Sequence, residues 1–571
     1  MNYSKFSVLR LLQTIFVSGC LSIGLVSPHS AWADPDAALS LQIIPQPREV
    51  KAMGAALDAS TARFIVVSDN AEDRFAARLL QKTARETHGI DCNIILRSGK
   101  SINAHRLWFG ATTNFSDAPT IPQNKEAEGY NLKVDSGGVL VAADSDTGLF
   151  YGVQTLVQLL EQSRREKTTV PGMAVNDWPT FGWRARYIDA SQYRGSIVMT
   201  RANLEREIRL LARYKLNALC IDIYNLVPFK SFPACADAQT LSLADWNDLV
   251  ELAHRYHVTF MPSIQSLAQT YEVIWKCDEG KPYREATAPG LICPSRPENI
   301  KFLQGLYRDL ISVFKYSPVL GIGCSEVGMQ WTEHYCPLCK ARIEKGETLS
   351  DIFNQHVRNC VQAVDAAAKE AGRPAVRPMM WGDEYYMGYG GKRWVGIENI
   401  PTNTIMGHWK YWKDYDTIAG LQERGFDVFF LSATYQHNIF LHDLSPQDPA
   451  DGRDGLVDSG IRNIVDQARQ AALDQQKKLP GKILGGGCAT FSQHDIRSWD
   501  TTWFAYVLQA EYSWGDCQKP LAEELIPFTE KFAAIFYGAN DPEAARIIAS
   551  AYRELDAVKS DFERNNILIR D

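Results

Sequence analysis

Between residues 185 and 486, short apolar runs alternate with stretches whose apolar positions recur at helical spacing. Eight runs read as strands: Ala185–Asp189, Asn217–Ile223, Val258–Ile264, Val319–Gly323, Arg377–Trp381, Thr404–Gly407, Val428–Leu431 and Lys482–Gly486. Between them, Leu204, Ile208 and Leu211 share one helical face, as do Ile352, Phe353, Val357, Cys360, Val361 and Val364. Eight strands with intervening helices over some 300 residues predict an α/β fold, a (β/α)8 barrel of the TIM type spanning 180–517.

The preceding stretch has a different rhythm. Phe64–Val67 and Leu107–Gly110 read as strands, and Tyr130–Val134 with Val139–Ala143 reads as a hairpin about a Ser-Gly-Gly turn. A helix follows from Thr147, with Leu149, Val153, Leu156 and Leu160 in phase. These elements predict a small α+β domain over 34–175, joined to the barrel by a linker from Pro171 to Gly182. Residues 518–571 read as a polar helical extension on the barrel's flank.

The N-terminus has the pattern of an export signal: Lys5 and Arg10, an apolar run from Leu11 to Val26, then Ala31-Trp-Ala33 before Asp34. Residues 1–33 are therefore expected to be removed, and the protein to be periplasmic or extracellular. Val17-Ser-Gly-Cys20 also fits a lipoprotein box, which would anchor the chain through Cys20; the long apolar run past Cys20 favours cleavage after Ala33. No later run approaches a membrane span. A net charge of −7 gives no electrostatic case for nucleic acid. Fourteen Trp and 23 Tyr are consistent with stacking on sugar rings, although a large core also absorbs aromatics.

Of twelve cysteines, eleven remain after cleavage at Ala33, an odd number. Cys277 and Cys293 bracket a polar loop and suit a disulfide in an oxidising compartment. Cys336-Pro-Leu-Cys339, with His334 beside it, has half the spacing of a zinc site. No second C-x-x-C completes it, so a loop staple or free thiols are expected, and no metal. No Gly-rich phosphate loop is present, and no cofactor is expected.

A barrel of this type places its chemistry at the C-terminal ends of its strands. The polar groups there are Arg184 and Asp189, Asp222 and Tyr224, Gln265 and Gln269, Ser325 and Glu326, and Trp381, Asp383 and Glu384. Later strands add His408, Trp409 and Trp412, Tyr435 and His437, and the 491–495 loop. Carboxylates and aromatics around one cavity suit a glycan, and glycoside hydrolysis needs a protonated carboxylic acid at the departing oxygen.

Several stretches resemble glycoside hydrolase family 20, the β-N-acetylhexosaminidases, and within it the hexosaminidase D-like branch. They are IIPQP at 43–47, DTGLFYGVQTL at 146–156, WRARYID at 183–189, NALCIDIY at 217–224, MPSIQSLAQ at 261–269 and IGCSEV at 322–327. The last is similar to the family's catalytic I-G-x-D-E-V. The resemblance implies exo-acting removal of a terminal N-acetylhexosamine, with the substrate's own acetamide as nucleophile and Glu326 as general acid. It also implies that Arg184 holds sugar hydroxyls and that Trp381, Trp409 and Tyr435 line the sugar pocket.

Three positions depart from that pattern. The catalytic aspartate is replaced by Ser325, a usual histidine by Gln269, and another by Asp222 or Cys220. Losing a charge aimed at a developing cation costs several kcal/mol of transition-state stabilisation by analogy with other preorganised groups, on the order of 3 kcal/mol. Either Asp383 or Asp222 supplies that charge, or the chemistry has changed. Three readings follow: a β-N-acetylhexosaminidase-like hydrolase, a β-glycosidase on sugars without the acetamide that uses Asp383 or Asp222, and a silent glycan-binding protein.

Overall fold

The computed structural model describes residues 41–551, apart from 98–104, 114–126, 191–198, 239, 289, 331–335, 388–394, 412–415, 435–460, 491–501, 516, 519–520 and 540. The export signal, Cys20, His334, Trp412, Tyr435, His437 and the 491–495 loop lie outside the described residues. Among the described residues, no helix is long and apolar enough to cross a membrane.

A seven-stranded sheet comes first: β1 (Glu49–Ala52), β2 (Phe64–Ser68), β3 (Asn93–Arg97), β4 (His105–Gly110), β5 (Tyr130–Asp135), β6 (Gly138–Ala143) and β7 (Met173–Asp177), in the order β1-β7-β5-β6-β4-β2-β3. Only β2 and β3 pair in parallel. Helices α1 (Ala71–His88) and α2 (Asp146–Glu166) accompany it. Ser145 caps α2 by accepting from the Gly148 amide, which satisfies an otherwise orphaned donor. Nearly all of α2 is buried, and it approaches the sheet closely: a Cβ at Gly152 would strike Val141. The predicted linker is thus not all linker, because Met173–Asp177 pairs with both β1 and β5. Its alternating burial marks a strand with one face inward, and the flanking Pro171 and Pro179 had disguised it.

The predicted barrel follows. Strands β8 (Trp183–Asp189), β9 (Ala218–Asp222), β10 (Thr259–Ser263), β11 (Val319–Gly321), β12 (Arg377–Trp381), β13 (Ile405–Trp409), β14 (Val428–Thr434) and β15 (Ile483–Thr490) form a closed parallel barrel, with β15 pairing β8. Each predicted strand is present, Arg377–Trp381 with the same limits and the others with ends shifted by up to four residues. Helices α3 (Arg201–Arg213), α4 (Leu243–Arg255), α5 (Pro297–Val313), α6 (Val327–Gln330), α7 (Pro337–Glu344), α8 (Leu349–Glu370), α9 (Asp383–Tyr386), α10 (Thr417–Glu423), α11 (Ile461–Gln475) and α12 (Trp503–Trp514) lie between and after them. Helix α13 (Leu521–Phe536) follows and buries Phe528 and Phe532 against Phe504 of α12, so it is amphipathic rather than simply polar.

Ala185, Tyr187, Ala218, Cys220, Met261, Val319, Met379, Trp381, Ile405, Trp409, Phe429, Leu431, Ala433 and Ala489 fill the barrel interior as one cluster. They recur at every second position along a strand, as the pleat requires. The small domain meets residues that precede the barrel strands. Lys215 binds Asp177, Asn217 binds Glu128, and His257 meets Thr147 and Phe150. It therefore packs beneath the N-terminal ends of the strands.

Candidate active site

Glu326 sits where β11 gives way to the short α6. Gly323, Cys324 and Glu326 all have positive φ, at 65°, 64° and 53°. Glycine adopts this conformation freely, whereas each non-glycine residue is held there at a cost of about 1–3 kcal/mol. Tyr224 and Gln269, early in the loops after the second and third strands, are left-handed as well. Strain thus gathers on three adjacent loops at the barrel mouth.

Two carboxylates from the next strand hold the Glu326 loop. The Glu326 amide donates to Asp383 Oδ2 at 2.9 Å, and the Gly328 amide donates to Glu384 Oε1 at 3.0 Å. Both acids are fully buried at the start of α9, immediately after Trp381. Burial, reinforced by the neighbouring Glu384 and then Glu326, pushes the Asp383 carboxyl well above its ordinary range. Burial likewise raises Glu384 to about 7. Glu326 is itself half-buried, and its Oε2 accepts from the Gln269 amide at 2.5 Å.

A second polar group lies two strands away. Asp222 ends β9 and is buried; it accepts from the Tyr187 hydroxyl at 2.6 Å and from the Gln265 amide at 3.0 Å. Desolvation raises its pKa to about 6, and the adjacent Asp189, its register partner on β8, adds to the shift. Trp381 and Trp409 occupy the last positions of their strands, with Trp381 edge-on to Tyr187 at 5.6 Å. The Tyr386 hydroxyl brackets the Trp409 peptide, accepting from its amide at 2.8 Å and donating to its carbonyl at 3.1 Å. Ser325 lies buried beside Glu326.

Arg184 is not in this group. It is fully buried on the outside of the barrel, near the start of β8. Its guanidinium pairs with Glu128 at 2.6 and 3.1 Å, donates to the Lys215 carbonyl at 2.8 Å and lies over the Trp514 ring at 4.9 Å. The reason is phase: Ala185 and Tyr187 face inward, so Arg184 faces outward. Arg186, also outward, pairs with Glu207. His408 is outward too, bonded to Thr417 at 2.7 Å, and burial lowers its pKa to about 3.

The comparisons with known proteins agree with this architecture. The family models "Glycosyl hydrolase family 20, domain 2" and "Glycosyl hydrolase family 20, catalytic domain" match residues 40–178 and 181–515. The chain belongs to glycosyl hydrolase family 20. It is similar to β-hexosaminidases of Porphyromonas gingivalis, 24% identical over 49% of this chain and 37% of that protein, and of Akkermansia muciniphila, 24% identical over 39% and 49% respectively. The matches thus span half or less of those relatives' own lengths. The fold is similar to that of an exo β-N-acetylglucosaminidase of Vibrio harveyi solved with N-acetylglucosamine. There the TM-score is 0.63 and the identity 18%, over 91% of this chain and 81% of that one.

Within this family-20 barrel, the structure brings together Glu326, Gln269 and Asp383 directly, with Ser325 beside them in the chain. Asp222, Trp381 and Trp409 sit at neighbouring strand ends. Tyr187 and Tyr386 were not among the candidates. Tyr187 was legible, since it stands two residues from the inward Ala185 on the same strand; Tyr386 follows a tight turn that the sequence does not mark. The suggested Cys277–Cys293 disulfide is absent. Cys293 instead lies 3.5 Å from the Cys336 sulfur.

Proposed function

We propose that the chain is an exo-acting glycoside hydrolase of the β-N-acetylhexosaminidase type that removes a terminal β-linked N-acetylhexosamine from glycans. In this reading Glu326 is the general acid, Trp381, Trp409 and Tyr435 grip the terminal sugar, and Asp222 binds hydroxyls with Gln265. The observation that carries it is the setting of Glu326: a half-buried carboxylate at the barrel mouth, contacted by Gln269 and borne on a loop clamped by Asp383 and Glu384. The β-hexosaminidase relatives support the same assignment. The protein acts outside the cytoplasm, released by cleavage after Ala33 or tethered through Cys20, and it belongs to the hexosaminidase D-like branch.

Ser325 favours one alternative. It stands where the family's catalytic aspartate is expected and carries no charge, so Asp222 or Asp383 would supply the second carboxylate for a sugar lacking the acetamide. Aryl β-glycosides with and without a 2-acetamido group, assayed with wild type and Glu326→Gln, decide between them. Turnover confined to acetamido sugars and lost in the variant supports the main reading. Turnover of sugars without the acetamide moves the assignment to a second protein carboxylate. Sugar binding without turnover on any substrate makes the chain a glycan-binding protein.

A further inference from the structure

On the loops after β10 and β11, four side chains converge in a way that the hydrolytic reading does not use. Glu285 and Cys293 belong to the segment after β10, where the Glu285 amide donates to the Leu291 carbonyl and the Cys293 amide to the Tyr283 carbonyl, each at 2.9 Å. Cys336 and Cys339 begin α7, after β11. Their ligand atoms, one per residue, all lie within 4.8 Å of one another, and all four residues are buried.

The spacing discriminates between the possible states. Cys293 Sγ stands 3.5 Å from Cys336 Sγ and 3.9 Å from Cys339 Sγ, while Cys339 Sγ lies 3.3 Å from Glu285 Oε2. A disulfide requires about 2.0 Å between sulfurs. A tetrahedron of thiolates around zinc, with bonds of about 2.3 Å, has edges of about 3.8 Å. The observed sulfur separations match the second figure.

Charge gives an independent reason. Glu285 is fully buried, and its partners are the Cys336 amide, the Cys339 thiol and the Thr287 hydroxyl. Among the described residues it forms no ion pair with a cationic side chain. A buried ionised carboxylate without a countercharge is costly, and a divalent cation would provide one. Three soft thiolates and one carboxylate make four protein ligands and leave no open position, which suits zinc in a structural rather than a catalytic role.

We propose that Cys293, Cys336, Cys339 and Glu285 bind one structural zinc ion that staples the loop after the third barrel strand to the loop after the fourth. The half site formed by Cys336 and Cys339 is completed by a cysteine and a glutamate from the preceding loop, not by a second C-x-x-C. The two stapled loops lead out of the segments carrying Gln269 and Glu326, so the ion fixes the frame in which that contact forms. The site stands on its own geometry, whatever reaction the barrel performs.

The test is metal analysis of the full-length protein purified without chelator, followed by cobalt(II) titration of the chelator-treated protein. One equivalent of zinc is expected, together with the intense ligand-field and thiolate charge-transfer bands of tetrahedral cobalt. Cys339→Ser should lower zinc affinity at least tenfold, and Glu285→Gln should weaken it with the three-thiolate charge-transfer bands retained. Should the variants fail to fold, the wild-type cobalt spectrum decides alone. Peptide mapping that finds a disulfide between Cys293 and Cys336 or Cys339, or three free thiols in protein that takes up neither zinc nor cobalt, would overturn the proposal.

Discussion

The Gln269 side-chain amide donates to Glu326 Oε2 at 2.5 Å, joining the loop after the third barrel strand to the loop after the fourth. A donor in this position stabilises the carboxylate anion. When Glu326 is protonated, the same amide turned over can accept its proton through Oε1, so one residue can bond both protonation states of the carboxyl. Gln269→Leu removes the donor. The alkaline limb of the pH profile for kcat/KM should move to higher pH, because the anion has lost its support. Hydrogen bonds to charged groups contribute about 1.5–3 kcal/mol, so kcat/KM should fall by about tenfold to a hundredfold. An unmoved limb would remove Gln269 from the acid's environment.

General-acid assistance matters most when the departing alkoxide is a poor leaving group. Glu326→Gln should therefore cost about a hundredfold to ten-thousandfold on a natural glycan and far less on aryl glycosides with acidic phenols. Rates for the variant across a series of phenols should fall steeply with leaving-group pKa, against a shallow dependence for wild type. Equal slopes would mean that Glu326 does not deliver the proton. Thermal stability should stay near wild type, since the side chain is half-exposed at the mouth.

Arg184 is expected to govern stability rather than substrate affinity. Arg184→Met removes a fully buried guanidinium and leaves Glu128 without this partner, while Asn217 still donates to it. Breaking a buried pair typically costs about 3–5 kcal/mol. Denaturant titration should show that loss, and KM should change less than threefold in whatever folded protein remains. A large rise in KM with unchanged stability would return Arg184 to the sugar pocket.

What could be read from the sequence divides along the range of the forces involved. Barrel strands announce themselves as local apolar runs, and Arg377–Trp381 coincides with its predicted limits. The Glu326 loop was visible because glycines and a carboxylate follow such a run directly. Arg184 was misplaced because a family resemblance outweighed a local fact, the alternation of Trp183, Ala185 and Tyr187 with Arg184 and Arg186. The contacts of Asp383 with the Glu326 amide and of Cys293 with Cys336 span 57 and 43 residues. Nothing in the local pattern encodes such pairings; they arise when parallel strands bring their following loops side by side.

Glu384 makes a pH-dependent contribution to stability whose sign is opposite to that of an ordinary ion-paired acid. Burial raises its carboxyl from 4.5 to about 7, so the folded state prefers the protonated form. Stability from this group is complete below pH 4.5 and is lost as pH rises through 7. Glu384→Gln keeps an acceptor for the Gly328 amide and cannot ionise. Its melting temperature, relative to wild type, should be higher at pH 8 than at pH 5. A constant difference between the two proteins would mean that Glu384 titrates in its ordinary range.

Asp383 separates a positioning role from a charge role. Its Oδ2 accepts from the Glu326 amide, its Oδ1 has no hydrogen-bond partner among the described residues, and burial favours its neutral form. A neutral carboxyl whose carbonyl oxygen fixes a backbone amide is closely imitated by a carboxamide. Asp383→Asn should therefore retain kcat/KM within about tenfold, whereas Asp383→Ala, which releases the loop, should lose more than a hundredfold, an effect of about 3 kcal/mol. The alanine variant should also show faster hydrogen exchange at the amides of residues 326–328. If Asn is as damaging as Ala while exchange stays slow, the negative charge itself acts on the sugar. Asp383 would then be the second carboxylate that the alternative reading requires.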